Sequence, residues 1–417
     1  MKRLLLLPLL LSFSAVFSQV LPPESLIGFE SEDSPEFLDF LTKQTADKRV
    51  VGMGEVSHYT RECYTLKSAA ILHLMDEGFD GLILEVDAGQ AQRWNGYLLT
   101  GKSNLDTLVA SSGWFTYRTA EFRSLLAAIR SHNEQAEQPF QVFGMEMTAM
   151  NHSLEWLHNY LESYGAAPDQ LLTRLKAERP IVAFQSHNQE QQTDYWNLYH
   201  ELTEFLAANE AALLEEGTET DFAIADHFIE MLRQYATYVS QDDFGLKSEL
   251  RDQFSARNVW WCLEQMGEES QAIIWAHNGH VAKHSVLFNY DILGHYLEQW
   301  FGEAYYSLGF SFNAGEFGAF SEEGFQKFTL PELDTTSLSR EFATIQQPFV
   351  LLDVRNSLAK DDRLSSPLRQ AHLIRRDVSE YYVPANQPMM EINLARSYDA
   401  LLYIHRTTYP TTLDWIR

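Results

Sequence analysis

The chain has 417 residues, of which 58 are acidic and 31 are lysine or arginine, giving a formal net charge of −27. That balance argues against nucleic-acid or anionic-membrane partners, because there is little positive charge to displace counterions. Apolar residues make up 45% of the chain, ample for a core, and no stretch beyond residue 18 approaches the ~18–20 apolar residues that span a bilayer.

Residues 1–18 read as a secretory signal peptide. Lys2 and Arg3 begin it, Leu4 to Phe13 form its apolar stretch, and Ala15-Val16-Phe17-Ser18 offers a small-residue cleavage region before Gln19. The expected location is therefore secreted or periplasmic, with residues 19–417 as one α/β domain. Glu36 to Thr45 has the pattern of a short amphipathic helix. Arg49 to Gly54 is a buried strand ending in Gly-Glu-Val-Ser-His, and a helix is expected from about Thr60 to Glu77. Gly81 to Asp87 is a second strand, expected beside the first, and apolar until its end. Such runs alternating with helices predict a parallel sheet covered on both faces.

A helix follows from Thr119 to His132, and Pro139 opens a strand at Phe140 to Met145. From about residue 150 to 267 the apolar spacing is helical throughout, including Gln191 to Glu216 and Phe222 to Ser240. The strand pattern resumes at Ala272 to Ala276, followed by a helix near Asp291 to Phe301 and a strand at Tyr305 to Phe312. Residues 313–345 read as an exposed loop or hairpin. Late strands are expected at Pro348 to Asp353 and Ala400 to Ile404. The fold class is thus α/β, a mainly parallel central sheet flanked by helices, with a large helical insertion at about 150–267. Cys63 and Cys262 both fall in helices and outside any CxxC pattern, so buried thiols are expected rather than a disulfide.

The chemistry concentrates at strand ends. Glu55 and His58, three apart, follow the first strand. Glu85 and Asp87 end the second, Glu146 the third, and His277 and His280 a fourth. In open α/β sheets ligands bind outside the carboxyl ends of the strands. Taken singly, each residue has a plain reading, Glu85 as a helix cap, Asp87 as a turn residue and His280 as a core histidine. Gathered at one edge, they must pair to be buried, and pairing tunes acid–base groups. No Gly-x-Ser-x-Gly elbow or phosphate loop is present, so the attacking group is expected to be water, activated by a histidine or by a metal.

Val51-Gly-Met-Gly-Glu-Val-Ser-His58, Leu84-Glu-Val-Asp87, Trp114 with Arg118-Thr-Ala-Glu-Phe122, Phe143-Gly-Met-Glu146 and Trp275-Ala-His-Asn-Gly-His-Val281 resemble the erythromycin esterase family. Arg251-Asp252 with Ala256-Arg257-Asn258-Val259, Tyr306 to Phe310 and Tyr398 to Leu401 extend the resemblance over roughly Arg49 to Arg406. It implies an α/β fold with a helical insertion and a deep cleft, and hydrolysis of an ester or lactone, macrolides included, without a covalent serine intermediate or cofactor. By the same resemblance His58 is the general base, with Glu55, Glu85 and His277 as further catalytic positions. His280, Lys67, Glu146, Asn278 and Trp114 are the binding candidates. Lys67 stands where arginine is expected, keeping the charge without the bidentate fork, Glu146 replaces an aspartate, and Ser57 a threonine. Ester, amide and carbohydrate-linked substrates stay open. So do two other readings: a divalent ion held by Glu55, His58, Glu85, His277 and His280, and a non-catalytic cleft that binds an apolar or haem-like ligand among Trp94, Trp114 and Trp275.

Overall fold

The computed structural model describes residues 21, 23–165, 167–177, 187–285, 289–332, 338–360, 366–375, 378, 382 and 389–413. The proposed signal peptide lies outside the described residues. Among those described, no helix is long and apolar enough to cross a membrane.

Strand β1 (Leu26–Phe29) leads to α1 (Pro35–Thr45), and β2 (Val50–Met53) to α2 (Arg61–Asp76). After β3 (Gly81–Asp87) come α3 (Ala88–Thr100), α4 (Leu105–Ala110) and α5 (Ala120–Asn133). Then β4 (Gln141–Glu146) precedes a helical block: α6 (Asn151–Ser163), α7 (Asp169–Ala177), α8 (Gln189–Glu216), α9 (Glu219–Val239) and α10 (Phe244–Met266). The chain returns to the sheet with β5 (Ala272–Trp275), α11 (Asn278–Val281), α12 (Leu293–Phe301), β6 (Tyr305–Ser321) and β7 (Gly324–Leu330). The last strands are β8 (Phe349–Asp353), β9 (Ala371–Arg375), β10 (Met389–Asn393) and β11 (Ala400–Thr407).

The main sheet has the order β1-β8-β11-β6-β2-β5-β3-β4, with β7 paired to β6 outside that path. From β11 to β4 neighbouring strands are parallel, and β8 and β1 extend the sheet antiparallel. Every residue of β2, β3 and β5 is buried, as the continuous apolar runs require of strands covered on both faces. Alternation along these strands sorts the core. Val51, Met53, Leu82, Leu84, Ile273 and Trp275 enter one apolar cluster, while Val50, Ile83, Ala272 and Ile274 enter the other. A third cluster, built chiefly by α6, α8 and α9, forms the interior of the helical block.

One expectation changes, and one pair of alternatives is decided. β3 is not beside β2, because β5 pairs with both and stands between them. Residues 313–330 form no loop: β6 runs on to Ser321 and folds back on β7 as the hairpin alternative. Cys63 and Cys262 are free and buried.

α10 docks the helical block on the sheet. Asp243 caps it by accepting from Leu246 N at 2.8 Å. Its inward stripe, Asp252, Ser255, Ala256, Val259, Cys262 and Leu263, follows the spacing of one helix face. Asn258 on the same helix donates to the Met145 carbonyl at 2.8 Å and exchanges amide hydrogen bonds with Gln234 of α9. That ties α9, α10 and the end of β4 together, and brings Arg251 and Asp252 to the carboxyl edge of the sheet.

Candidate active site

Because β2, β5, β3 and β4 are parallel neighbours, Glu55, His277, Glu85 and Glu146 leave the sheet at one edge. Around them form two charge clusters.

The first centres on Glu55, a buried carboxylate with three donors. His58 Nδ1 lies 2.7 Å from Oε1, Trp275 Nε1 donates to Oε2 at 2.7 Å, and the Lys67 ammonium donates to the same oxygen. Lys67 Nζ also lies 3.9 Å from the centroid of the Trp275 ring, a cation–π contact. Burial alone would raise the Glu55 carboxyl, but Lys67 and His58 outweigh it and hold the group at about 2. An ionised carboxylate only accepts, so His58 Nδ1 carries the proton, and in the neutral ring Nε2 is the basic nitrogen.

The second cluster is held by Arg251. Its Nε donates to Glu146 Oε2 at 2.6 Å and its Nη2 to Glu85 Oε1 at 2.7 Å. Glu85 Oε2 accepts the main-chain N–H of His277 at 2.9 Å, and Glu146 Oε1 accepts that of Thr148 at 2.8 Å. His280 closes the cluster, with Nδ1 2.6 Å from Asp252 Oδ1 and Nε2 3.3 Å from Glu85 Oε1. Burial disfavours a charged His280 ring, yet Asp252 and Glu85 prevail and push it up to about 10. Burial would likewise raise Glu85, but His280 and Arg251 hold it well below the usual carboxylate range.

His277 stands between the clusters. Its ring centroid is 4.9 Å from that of His58. As the N-cap of α11 it accepts the Gly279 N–H at Nδ1, 3.2 Å away. Nδ1 is thereby the acceptor and Nε2 the N–H, and this buried Nε2 has no hydrogen-bond partner among the described residues. Burial, then the neighbouring His58, push its pKa down to about 3, so the ring stays neutral. A neutral N–H donor thus lies beside a histidine backed by a carboxylate, a pairing suited to water activation and oxyanion stabilisation.

The model of the erythromycin esterase family matches residues 74–407. The chain belongs to the erythromycin esterase family. The matched span holds Glu85, Glu146, Arg251, His277 and His280, and begins beyond His58. Erythromycin esterase type II of Escherichia coli is 23% identical over 328 residues, 71% of this chain and 74% of the relative. Solved structures share the fold. A Bacillus cereus protein has a TM-score of 0.78 at 23% identity, covering 93% of this chain and 96% of that one. A succinoglycan biosynthesis protein has 0.72 at 20%, covering 94% and 96%. A histidine-to-asparagine mutant of the erythromycin esterase EreC, in its open conformation, has 0.67 at 18%, covering 93% and 99%. Membership of the erythromycin esterase family supports hydrolysis of an ester or lactone in a small molecule as the general activity.

In this erythromycin esterase family member several expected roles shift. Glu55, His58, Glu85, His277 and His280 do come together, with Glu85 gripping Arg251 and the His277 main chain. Lys67, Asn278 and Glu146, expected to bind substrate, are sealed from solvent and meet protein atoms instead. Lys67 lies behind Glu55. Asn278 clamps both main-chain groups of Phe310, donating to its carbonyl at 2.7 Å and accepting its N–H at 2.9 Å. Trp114 is half-buried against the core, just before a turn whose Thr116 carbonyl shares the Tyr64 hydroxyl with the His58 carbonyl. Asp87 is an N-cap, accepting from Gly89 N at 3.0 Å, and it also receives the Ser153 hydroxyl. Arg251 and Asp252 appear in the sequence only as part of a resemblance motif. The signal that would have marked Asp252 is a carboxylate at the head of the inward stripe of α10, with Arg251 beside it in the chain. Among the described residues no group of three or more histidine, cysteine and carboxylate side chains is arranged to hold a metal ion, and the carboxylate oxygens face Lys67, Arg251 and ring N–H groups.

The Asn278 clamp explains Gly54. A Cβ there would collide with Asn278 Oδ1. Gly54→Ala is therefore expected to cost about 1–3 kcal/mol, measured as a lowered urea midpoint with unchanged slope. A neutral result would mean that Asn278 can swing aside without loss.

Proposed function

We propose that this chain opens an ester or lactone with water activated by His58. The observation that carries the reading is the His58–Glu55 hydrogen bond, which directs the proton to Nδ1 and leaves Nε2 as the basic nitrogen. Nε2 takes a proton from water as the hydroxide oxygen bonds to the acyl carbon. The carbonyl electrons move to oxygen, where His277 Nε2–H donates to the oxyanion. Collapse expels the alkoxide, the His58 imidazolium returns its proton to it, and acid and alcohol leave. Glu55 stabilises the imidazolium while it lasts. Arg251 and Glu85 keep the His277 main chain in register with His58.

A macrolide lactone is the first substrate to try, because the curated relative is an erythromycin esterase. Export is proposed as well, on the composition of residues 1–18. The test is mass spectrometry of a macrolide panel incubated with purified protein. A gain of one water, about 18 Da, is the expected product of hydrolysis. Unchanged masses throughout would remove macrolides as substrates and turn the search to simpler esters.

A further inference from the structure

The geometry points to Asp252 as a positioning residue. It holds the His280 ring so that Nε2 faces Glu85, and through Glu85 it fixes the His277 main chain beside His58. Each link is a direct contact in the structure: Asp252 Oδ1 to His280 Nδ1 at 2.6 Å, His280 Nε2 to Glu85 Oε1 at 3.3 Å, and Glu85 Oε2 to His277 N at 2.9 Å. The last places a ring whose N–H has no partner among the described residues 4.9 Å from the His58 ring. The inference rests on the histidine–water reading above.

Asp252 is 3% exposed, so its contact with His280 is shielded from the screening that weakens surface pairs. It arrives from α10, outside the strands that carry the other groups. The helical block therefore supplies two charges to the site, Arg251 and Asp252, and they act on Glu85 by different routes. Arg251 Nη2 grips Oε1 directly, while Asp252 acts through His280. Charged and titratable groups facing the His280 ring are Glu85 from β3, Asp252 and Arg251 from α10, and His277 at its own helix cap.

Nδ1 faces Asp252, while Nε2 lies 3.3 Å from both Glu85 Oε1 and Arg251 Nη1; the imidazolium is the form that satisfies both carboxylate contacts. Only as a cation can His280 donate to Asp252 and Glu85 at once. A neutral ring keeping its proton on Nδ1 would present the Nε2 lone pair, which the Glu85 oxygen repels and Arg251 Nη1, also 3.3 Å away, attracts, so the ring's hold on Glu85 is lost. The sign follows. A histidine raised by its partners contributes below its unfolded value, and loses that contribution as pH rises through its folded value of about 10. Without the Asp252 charge the loss moves to lower pH.

The test uses the full chain and Asp252→Asn, which keeps the shape and one acceptor oxygen. Three readouts are followed from about pH 6 to about pH 9: the His280 ring resonances, hydrogen exchange at the His277 amide, and hydrolysis of a p-nitrophenyl ester. His280→Gln identifies the ring signals. In the wild type the His280 signals are expected not to move and the His277 amide to stay protected. In Asp252→Asn the ring is expected to titrate within the range. Above its midpoint, exchange should quicken and kcat fall by at least ~10-fold, with KM little changed. Asp252→Glu should restore the flat profile. A His280 ring that stays charged in Asp252→Asn overturns the proposal. So does a kcat lowered equally at every pH, or a His277 amide indifferent to the titration. Full activity in His58→Ala would sink the base reading, while the ring and amide readouts would still judge Asp252.

Discussion

Arg251→Met is expected to destabilise the folded chain by about 3–5 kcal/mol at neutral pH, the usual cost of removing one partner from a buried ionic cluster. Methionine matches the aliphatic stem of arginine but leaves Glu85 and Glu146 without their shared cation. Both carboxylates are buried, so water cannot take its place. The effect has a definite pH signature. In the wild type Glu85 is held well below its usual range, so its contribution is present above the unfolded carboxyl value and is lost as pH falls through the folded one. Without Arg251, His280 is the cation left beside Glu85, and the carboxyl moves upward from its wild-type position. The variant is then penalised most where carboxyls are ionised, and the deficit narrows toward about pH 4. Urea unfolding of both proteins at neutral and acidic pH measures this. A loss below about 1 kcal/mol, the same at both pH values, would mean that solvent reaches the cluster.

His58→Ala is expected to lower kcat by ~10²–10⁴-fold, the range for removal of a general base, with the fold nearly intact. The structure explains why the two effects separate. The His58 side chain is 17% exposed, and its removal takes only one donor from Glu55. Lys67 and Trp275 still hold Oε2, so the carboxylate keeps its charge partner, and the stability cost should stay near the ~1 kcal/mol of a single hydrogen bond. Glu55→Gln would behave differently, because it strands the Lys67 ammonium in the core. Kinetics and melting of His58→Ala on any ester the wild type hydrolyses decide the matter. A kcat within about threefold of wild type would remove His58 from the chemistry.

The strands that build the site could be read from the sequence because their apolar runs are local and unbroken. Gly-Met-Gly-Glu and Trp-Ala-His-Asn mark the points where burial ends and polar groups begin. Neighbour relations could not be read in the same way. Nothing local in Ala272–Trp275 says that this strand enters between β2 and β3, since its partners lie 222 and 191 positions away in the chain. The same limit hid the roles of Lys67, Asn278 and Glu146. The resemblance made them binding candidates, but each is consumed by a partner on another element: Glu55, Phe310 and Arg251. Asp252 was obscure for a related reason. Its meaning depends on His280, which follows a different element and meets it only once α10 has docked.

The place of β5 in the sheet also bears on how the protein is made. As the chain emerges from the ribosome, β2, α2, β3 and β4 appear long before the strand that must lie between the first two. Until residues 272–275 emerge, β2 and β3 lack the neighbour they share, and their apolar edges stay open to pairing with other chains. The helical block is synthesised during that wait. Both charge clusters take groups from residues 275–280, so neither can close until that segment has joined the sheet.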